Sequence, residues 1–352
     1  MMSSVAGRVD RFLNETWRLE AETLAVARVL YGLYVLLILF PDPTFVHRLP
    51  GSWFEPPAGP LLVLESAPSS AILRVLMVVA AASLVSLIAG WRTRESSLVT
   101  AASLWVMFGV EYSYGKIDHT TFIWLVPAFM AFSTWGNVFS LDSRSGRAST
   151  EERGWPVALL LVSLAAAMAT AGIAKVRGGW LDVSDSATRA FQLKHVYTSS
   201  SPALLSEQGV DYHLGVLDEF FDWFAVVFEL SFLFAIWRRS WTRWLLVAAT
   251  FFHLGIVLLL NIAFLTSFCV YAVVVAWPVL AKLDDARRDL VLRGAVALGT
   301  VAAIFAVSGS PLLRVLFRWN DNGDLLLSAL VMVIFAVGAA WWAARSLRPA
   351  ET

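Results

Sequence analysis

Residues 165–180, AAAMATAGIAKVRGGW, form the stretch that decides the fold. Ala165, Ala169 and Gly172 are spaced three or four residues apart, so on a helix they share one face. Small side chains on such a face let a second helix approach closely, which favours helix association in lipid. The spacing therefore predicts a membrane helix that packs against protein and ends at Lys175.

Lys175 admits two interpretations from this stretch alone. Desolvation of an ammonium is costly, which favours the free amine and makes it available as a base or nucleophile. Alternatively, the side chain extends to the lipid headgroups and has no chemical role. Residues 165–180 by themselves favour the second interpretation.

The composition is that of a polytopic membrane protein. Hydrophobic residues make up 58% of the chain, charged residues make up 15%, and the mean hydropathy is +0.67. Lys plus Arg and Asp plus Glu number 27 each, so the basic excess that nucleic-acid binding needs is missing and no nucleic-acid partner is expected. The single cysteine, Cys269, excludes an intrachain disulfide and a Cys-x-x-Cys redox pair.

Windows of about 20 apolar residues predict an all-α transmembrane bundle of about ten spans. The windows are 24–41, 71–91, 96–112, 119–140, 155–175, 214–237, 241–262, 264–281, 291–311 and 325–345. Positive residues such as Arg92, Arg147 and Arg153 concentrate in alternate loops, and the opposite loops hold few. By the positive-inside rule, this predicts a multi-pass protein of the cell membrane with both termini cytoplasmic and Lys175 on the outer side.

Three segments are predicted along the chain. Residues 1–23 are expected to form an interfacial amphipathic segment that lies on the membrane through Phe12, Leu13 and Trp17. Residues 24–282 are the main transmembrane domain, and residues 283–352 are a helical hairpin of two further spans. The long outer loops 42–70 and 176–213 are expected to cap a cavity.

Ionisable residues near the outer ends of the spans are the candidate site. They are Glu111, Tyr112, Asp118, His119, Lys175 and His253. Asp118 suits the N-cap of a helix beginning at His119, and its carboxylate can orient the imidazole. Arg28 and Glu229 are interpreted as structural residues. No His-x-x-x-His or Glu-x-x-His pair lies on a span, so no metal is predicted.

Four segments of the chain carry a resemblance to a known family. They are Ala27-Arg28-Val29-Leu30-Tyr31-Gly32, then Asp118-His119 through Phe139-Ser140-Leu141-Asp142, then Ala171-Gly172-Ile173-Ala174-Lys175 with Trp180, and Phe252-His253-Leu254-Gly255-Ile256. In this order they resemble the transmembrane domain of vitamin K-dependent gamma-carboxylases, which is shared with bacterial HTTM proteins. The likeness runs over roughly residues 20–282.

The resemblance implies a quinone-dependent activity with lyase or monooxygenase chemistry. In the carboxylases, the lysine that Lys175 resembles is the base that deprotonates reduced vitamin K, and oxygen then converts the quinol to an epoxide. The histidine matching His119 assists the later steps, and the histidine matching His253 lies in the cavity region. We expect Asp118 to act with His119, and His253, Trp180, Glu111 and Tyr112 to bind the substrate. A vitamin K or menaquinone-type quinol is the implied cofactor, without a metal.

Three departures from the family and two alternative functions remain. The animal carboxylases carry two adjacent lysines where this chain has Ala174-Lys175, and their pattern Trp-x-x-Gly reads Trp180-Leu181-Asp182-Val183 here, so the loop geometry is expected to differ. The chain also ends after its last predicted spans, where the carboxylases carry a lumenal domain, which argues against coupled peptide carboxylation. One alternative is a non-catalytic component whose cavity holds a lipid or quinone and which serves a secreted peptide or a partner membrane protein. The other is a small-molecule transporter that uses Glu229, His253 and Asn261.

Overall fold

The chain is all-helical in the part that the structure, a computed structural model, describes. The described residues are 5–147, 153–182, 186–198, 203, 205, 216–260, 262, 264–275, 284–308, 330–331, 333–338 and 340, and they contain no β-strand. Asn261 and most of the predicted span 325–345 lie outside them.

Twelve α-helices are used in the description that follows. They are α1 Val5–Arg11, α2 Ala21–Tyr34, α3 Ser70–Ala89, α4 Thr93–Tyr112, α5 Thr121–Met130, α6 Leu141–Arg144, α7 Trp155–Arg177, α8 Ala187–Thr198, α9 Val216–Ala235, α10 Arg239–Leu260, α11 Phe268–Val274 and α12 Asp285–Val307. π-Helical turns, Phe12–Thr16 and Val35–Leu39, follow α1 and α2 directly.

Five helical segments among the described residues are long and apolar enough to cross a membrane. They are Ala21–Arg48, Ser70–Ala89, Trp155–Arg177, Arg239–Leu260 and Asp285–Val307, and they coincide with the predicted spans 24–41, 71–91, 155–175, 241–262 and 291–311. The membrane class is thus confirmed. The total of about ten spans, the cytoplasmic termini and the division into 1–23, 24–282 and 283–352 stay predictions.

The predicted span 119–140 is wrong in its extent, because its helix, α5, covers only Thr121–Met130. Residues 131–140 form turns, and Ser133 Oγ donates to the Met130 carbonyl at 2.8 Å. Serine, glycine and asparagine residues favour such turns over continued helix, and this segment carries Ser133, Gly136 and Asn137.

The chain divides into two compact units, each described by itself. Unit 1 comprises Met1–Leu160 and Thr266–Leu316, and unit 2 comprises Leu161–Leu265 and Phe317–Thr352. In unit 1, α3 packs against α2, α4 and α12. Small residues make these contacts close: a Cβ on Gly32 would lie 2.5 Å from Ile88 Cγ1, and one on Gly299 would lie 2.7 Å from Ile88 Cδ1.

The α3–α4 turn of unit 1 is fastened by the segment that follows α5. The Arg28 guanidinium, fully buried, donates to the carbonyl oxygens of Trp135, at 3.0 Å, and Phe139. Asp142 accepts from the backbone N–H groups of Arg92 and Thr93 at 2.9 and 2.6 Å, so its carboxylate caps α4 from another segment. Arg28 and the 139–142 motif therefore have a structural role, as expected for Arg28.

A hydrogen bond links α2 to α5 in unit 1. The Tyr31 hydroxyl of α2 donates to the Ile123 carbonyl of α5 at 2.6 Å, and α5 contains Pro127. Near the N-terminus, Phe12 and Trp17 are 5% and 0% exposed. These two side chains therefore pack inside the protein, and the interfacial placement of residues 1–23 stays a prediction.

Unit 2 contains most of α7 together with α8, α9 and α10. Asp222 of α9 is fully buried and accepts from the backbone N–H groups of Ala187 and Thr188 at 2.9 and 2.8 Å, so it caps α8. Ala165 and Ala169 of α7 are 1% and 6% exposed, which confirms that the small-residue face packs against protein.

Candidate functional site

Lys175 lies in the last turn of α7 and forms an ion pair with Glu229 of α9. Its Nζ is 2.6 and 2.7 Å from the two carboxylate oxygens. The side chains of Lys175 and Glu229 are only 20% and 9% exposed. The ammonium is therefore held by protein, and the interpretation that it extends to the lipid headgroups does not hold.

The end of α7 brings Trp180 back over Lys175. The N–H of Trp180 donates to the Lys175 carbonyl at 3.1 Å, and that of Gly179 donates to the Val176 carbonyl at 3.4 Å. This pair of bonds is a Schellman motif, in which Gly179 supplies the required left-handed conformation with φ +81°. The Lys175 Nζ consequently lies 5.1 Å from the centroid of the Trp180 ring, a cation–π contact.

Gly172 explains why α9 comes close enough for the ion pair to form. A Cβ at Gly172, three residues before Lys175, would lie 3.0 Å from Leu230 Cγ and 3.3 Å from Glu229 Cβ. A larger side chain at this position would require Leu230 and Glu229 to move by at least a few tenths of an ångström. The small-residue pattern of the sequence thus places a carboxylate beside the lysine.

His253 of α10 belongs to an aromatic cluster in the same unit. It is 2% exposed, and its imidazole stacks on Phe264 with ring centroids 5.0 Å apart. Phe228 and Phe252 continue the cluster at 4.8 Å, and Phe224 lies 5.8 Å from both. The buried imidazole thus contacts the rings of Phe252 and Phe264 at one end of this cluster.

Asp118, His119, Tyr112 and Glu111 belong to unit 1, where α4 ends and α5 begins. Asp118 Oδ1 accepts from the backbone N–H and the hydroxyl of Thr120 at 2.8 and 2.7 Å. Tyr112 Oη is 2.6 Å from Thr120 Oγ1. Because the threonine hydroxyl has one proton and gives it to Asp118, the tyrosine is the donor of this bond.

The structure corrects the expected N-cap role of Asp118. The helix begins at Thr121, not at His119, and the Asp118 carboxylate accepts hydrogen bonds from the backbone N–H and the hydroxyl of Thr120. The backbone carbonyl of His119 in turn accepts from the Thr266 hydroxyl at 2.9 Å. Asp118 therefore organises the turn before α5, as a short acidic side chain commonly does.

The predicted site residues thus fall into two groups by unit. Glu111, Tyr112, Asp118 and His119 are in unit 1, and Lys175, Trp180 and His253 are in unit 2. Their catalytic and binding roles stay predictions.

Glu229 is the residue at this site whose contact the sequence interpretation missed. The available signal was a carboxylate inside a predicted span, since such a group requires a positive partner.

No group of three His, Cys, Asp or Glu side chains in the described part of the chain is arranged to hold a metal ion.

Comparison with known proteins gives one match. A family model described as HTTM domain matches residues 18–279, which contain both groups of predicted site residues. No curated protein and no solved structure matches the chain. The match confirms the predicted HTTM resemblance.

Proposed function

The chain belongs to the HTTM domain family, and from this premise we propose that it is a membrane enzyme in which Lys175 removes a proton from a reduced quinone. The observation that carries the proposal is the contact of Lys175 Nζ with both carboxylate oxygens of Glu229, beneath the ring of Trp180. Ionisable pairs at membrane depth are costly, and they are found mainly where function needs them.

The Glu229 carboxylate can accept the proton of the Lys175 ammonium. Transfer of that proton from Lys175 Nζ to a Glu229 oxygen converts two charges into two neutral groups, which a low-polarity environment favours. The free amine then accepts a proton from a quinol hydroxyl. Trp180 holds the lysine stem between the helix end and the indole ring, so that Nζ returns to the same place.

The surroundings of the pair fit a lipid-soluble quinol. The rings of Phe220, Phe224 and Phe228 follow one another along α9 at 5.9 and 5.8 Å, and Phe220 and Phe224 are 56% and 38% exposed. An exposed aromatic row on a membrane helix offers stacking surface to a flat ring that arrives through lipid. A reduced quinone supplies two hydroxyl hydrogens and two electrons, so that with O2 the balanced products are the quinone epoxide and one water.

The proposal extends to the other predicted residues and to the location of the site. His253, within the aromatic cluster, and the Tyr112–Thr120–Asp118 hydrogen-bond chain with His119 and Glu111 are assigned to substrate binding and proton handling. The arginine distribution supports an active face on the outer side of the cell membrane.

Epoxide formation by purified full-length protein tests the proposal. Wild type with chemically reduced menaquinone and O2 is expected to form menaquinone epoxide, measured by mass spectrometry. Lys175→Met removes the base and should reduce the rate by about a hundredfold or more. Lys194→Met, which removes an exposed lysine of α8, is the matched control and should keep the wild-type rate. Equal traces of epoxide from wild type and Lys175→Met would refute the activity.

A second, non-catalytic function is favoured by one specific observation. Both Glu229 oxygens already contact the ammonium, and Gly172 packs against Leu230 beside them, so the pair is also suited to fastening α7 to α9. In this case the protein is a lipid- or quinone-holding component that serves a partner membrane protein or the maturation of a secreted peptide.

Complementation separates the two functions. Lys175→Met/Glu229→Leu replaces the ion pair with apolar side chains of similar volume. The double variant is expressed in a strain that lacks the protein. If the protein is an enzyme, the double variant should not restore the wild-type phenotype. If the protein is a structural component, the double variant should restore it fully.

A further inference from the structure

Unit 1 contains a cavity of about 570 Å³ that is rich in arginine. It lies where α3 turns into α4, next to the segment that follows α5. Its charged lining residues are Arg92, Arg94, Arg147 and Arg153 against Glu95 and Asp142. The cavity therefore has an excess of positive charge, and its lining residues include none of those assigned to quinol chemistry.

The acidic group deepest in this cavity is already engaged. The Asp142 carboxylate accepts from the backbone of Arg92 and from the backbone and hydroxyl of Thr93, at 2.9, 2.6 and 2.7 Å. The Arg147 Nε is 3.7 Å from the same carboxylate. Asp142 thus neutralises the start of α4 and part of the charge of Arg147.

Two of the lining guanidinium groups, those of Arg92 and Arg94, lie over aromatic rings. Arg94 lies over the Phe132 ring at 5.1 Å, and Arg92 lies over the Trp91 ring at 5.6 Å. Neither forms an ion pair with a carboxylate in the described part of the chain. An aromatic ring beneath a guanidinium orients it without occupying its N–H donors. Both guanidinium groups therefore keep the paired N–H donors that bind phosphate oxygens.

The cavity lies next to the ends of two candidate membrane spans. The candidate membrane span α3 ends at Ala89, three residues before Arg92, and the candidate span α7 begins at Trp155, two residues after Arg153. Arginine side chains just beyond the ends of membrane helices meet the phosphate layer of the bilayer. The loops involved are those predicted to be cytoplasmic.

We propose that this cavity binds a phosphate-bearing anion through Arg92 and Arg94. The phosphate belongs either to an anionic phospholipid headgroup or to free inorganic phosphate, and both offer the same oxygens to the two guanidinium groups. The position of the cavity beside the ends of two candidate membrane spans favours the phospholipid.

The test uses the purified full-length chain and two ligands. Native mass spectrometry measures retained phosphatidylglycerol against phosphatidylcholine, and thermal unfolding measures stabilisation by inorganic phosphate against chloride at matched ionic strength. Arg92→Gln/Arg94→Gln removes the proposed ligands. Arg238→Gln/Arg287→Gln removes the same charge elsewhere and is the matched control, because Arg238 also lies over a tryptophan ring, Trp241, at 4.7 Å.

Wild type and the control are expected to retain phosphatidylglycerol equally, and Arg92→Gln/Arg94→Gln is expected to retain about tenfold less. Stabilisation by inorganic phosphate that is lost only in Arg92→Gln/Arg94→Gln, without selective lipid retention, supports the same site with free phosphate as its ligand. Equal losses in both double variants, or no preference for either ligand in wild type, overturn the proposal. If the glutamine variant does not fold, Arg92→Lys/Arg94→Lys replaces it. The lysine variant keeps the positive charge but loses the paired N–H donors of the guanidinium, so ligand binding is expected to fall several-fold. Unchanged binding overturns the proposal.

Discussion

At the residue scale, the central feature is that Lys175 is paired with a carboxylate and is not exposed to lipid headgroups. The pair joins residues 54 positions apart in the chain. Desolvating two charges is expensive, and their attraction repays the cost only while both are present. Lys175 and Glu229 should therefore behave as one unit in stability as well as in chemistry.

The first prediction concerns this coupling. Lys175→Met and Glu229→Leu, each alone, leave one buried charge without its partner, and each should lower the free energy of unfolding by about 3 kcal/mol. The double substitution should recover most of that loss, because an apolar pair needs no hydration. Denaturant or thermal unfolding in detergent measures the double-mutant cycle, with Lys194→Met as control. Additive losses in the double variant would show that the two charges are not coupled.

At the scale of elements, the start of α4 depends on a carboxylate from α6. Burial of Asp142 raises its pKa, but the hydrogen bonds from Thr93 and from the Arg92 backbone, with the charge of Arg147, outweigh burial and hold the pKa below the usual carboxyl value. A carboxyl whose pKa is lowered by folding stabilises the fold while it is ionised. The α3–α4 turn is thus fastened by a negative charge.

The second prediction is the pH dependence that this charge creates. Its stabilisation is fully present above the unfolded-state pKa of about 3.9 and is lost as pH falls towards the lower folded-state pKa. Asp142→Asn should lower the free energy of unfolding near neutral pH by about 1–3 kcal/mol and should remove this part of the acid sensitivity. Unfolding in detergent from pH 7 to pH 3 is the measurement. Asp285→Asn, which removes an exposed carboxylate of α12, is the control, and the prediction fails if Asp142→Asn keeps the wild-type pH profile.

The elements also show what a sequence can predict for this chain. Hydropathy predicted the five apolar helices, because length and composition alone decide whether a segment suits a bilayer. Small-residue spacing predicted that α7 packs against protein. Hydropathy did not predict that α5 stops at Met130, since the turn residues after it are interspersed with apolar ones.

The candidate site was less accessible to prediction than the fold. Lys175 and Trp180 are close in the sequence, and their contact follows from the Gly179 turn between them. The Glu229 contact depends on which helix packs against Gly172, which one sequence does not state. Local chemistry was thus predictable, and contacts between distant helices were not.

At the scale of the whole molecule, the orientation in the membrane decides from which side each site is reached. The distribution of arginines predicts that Arg287 is cytoplasmic and Lys194 is outside. Cys269, the single cysteine, is 1% exposed, so the unmodified chain offers no accessible thiol to a labelling reagent.

The third prediction uses the absence of an accessible thiol in the unmodified chain. In intact cells, a membrane-impermeant maleimide should label Lys194→Cys, and it should label Arg287→Cys only after the cells are permeabilised. Both side chains are exposed, so a lack of labelling reports the membrane barrier and not burial. The unmodified chain is the control for background. Labelling of Arg287→Cys in intact cells would reverse the predicted orientation and, with it, the outer location of Lys175.

The hydrogen bond from Tyr31 to the Ile123 carbonyl has a consequence for substitution at either helix. Ile123 precedes Pro127 by four residues, and proline has no N–H, so the usual helical hydrogen bond to that carbonyl is missing. In the interior of a membrane protein, another group must replace it, and the hydroxyl of Tyr31 is that group. The proline in one helix and the tyrosine in another are therefore interdependent: removing the hydroxyl leaves the carbonyl without this donor while Pro127 is present, and replacing the proline returns a backbone N–H to it.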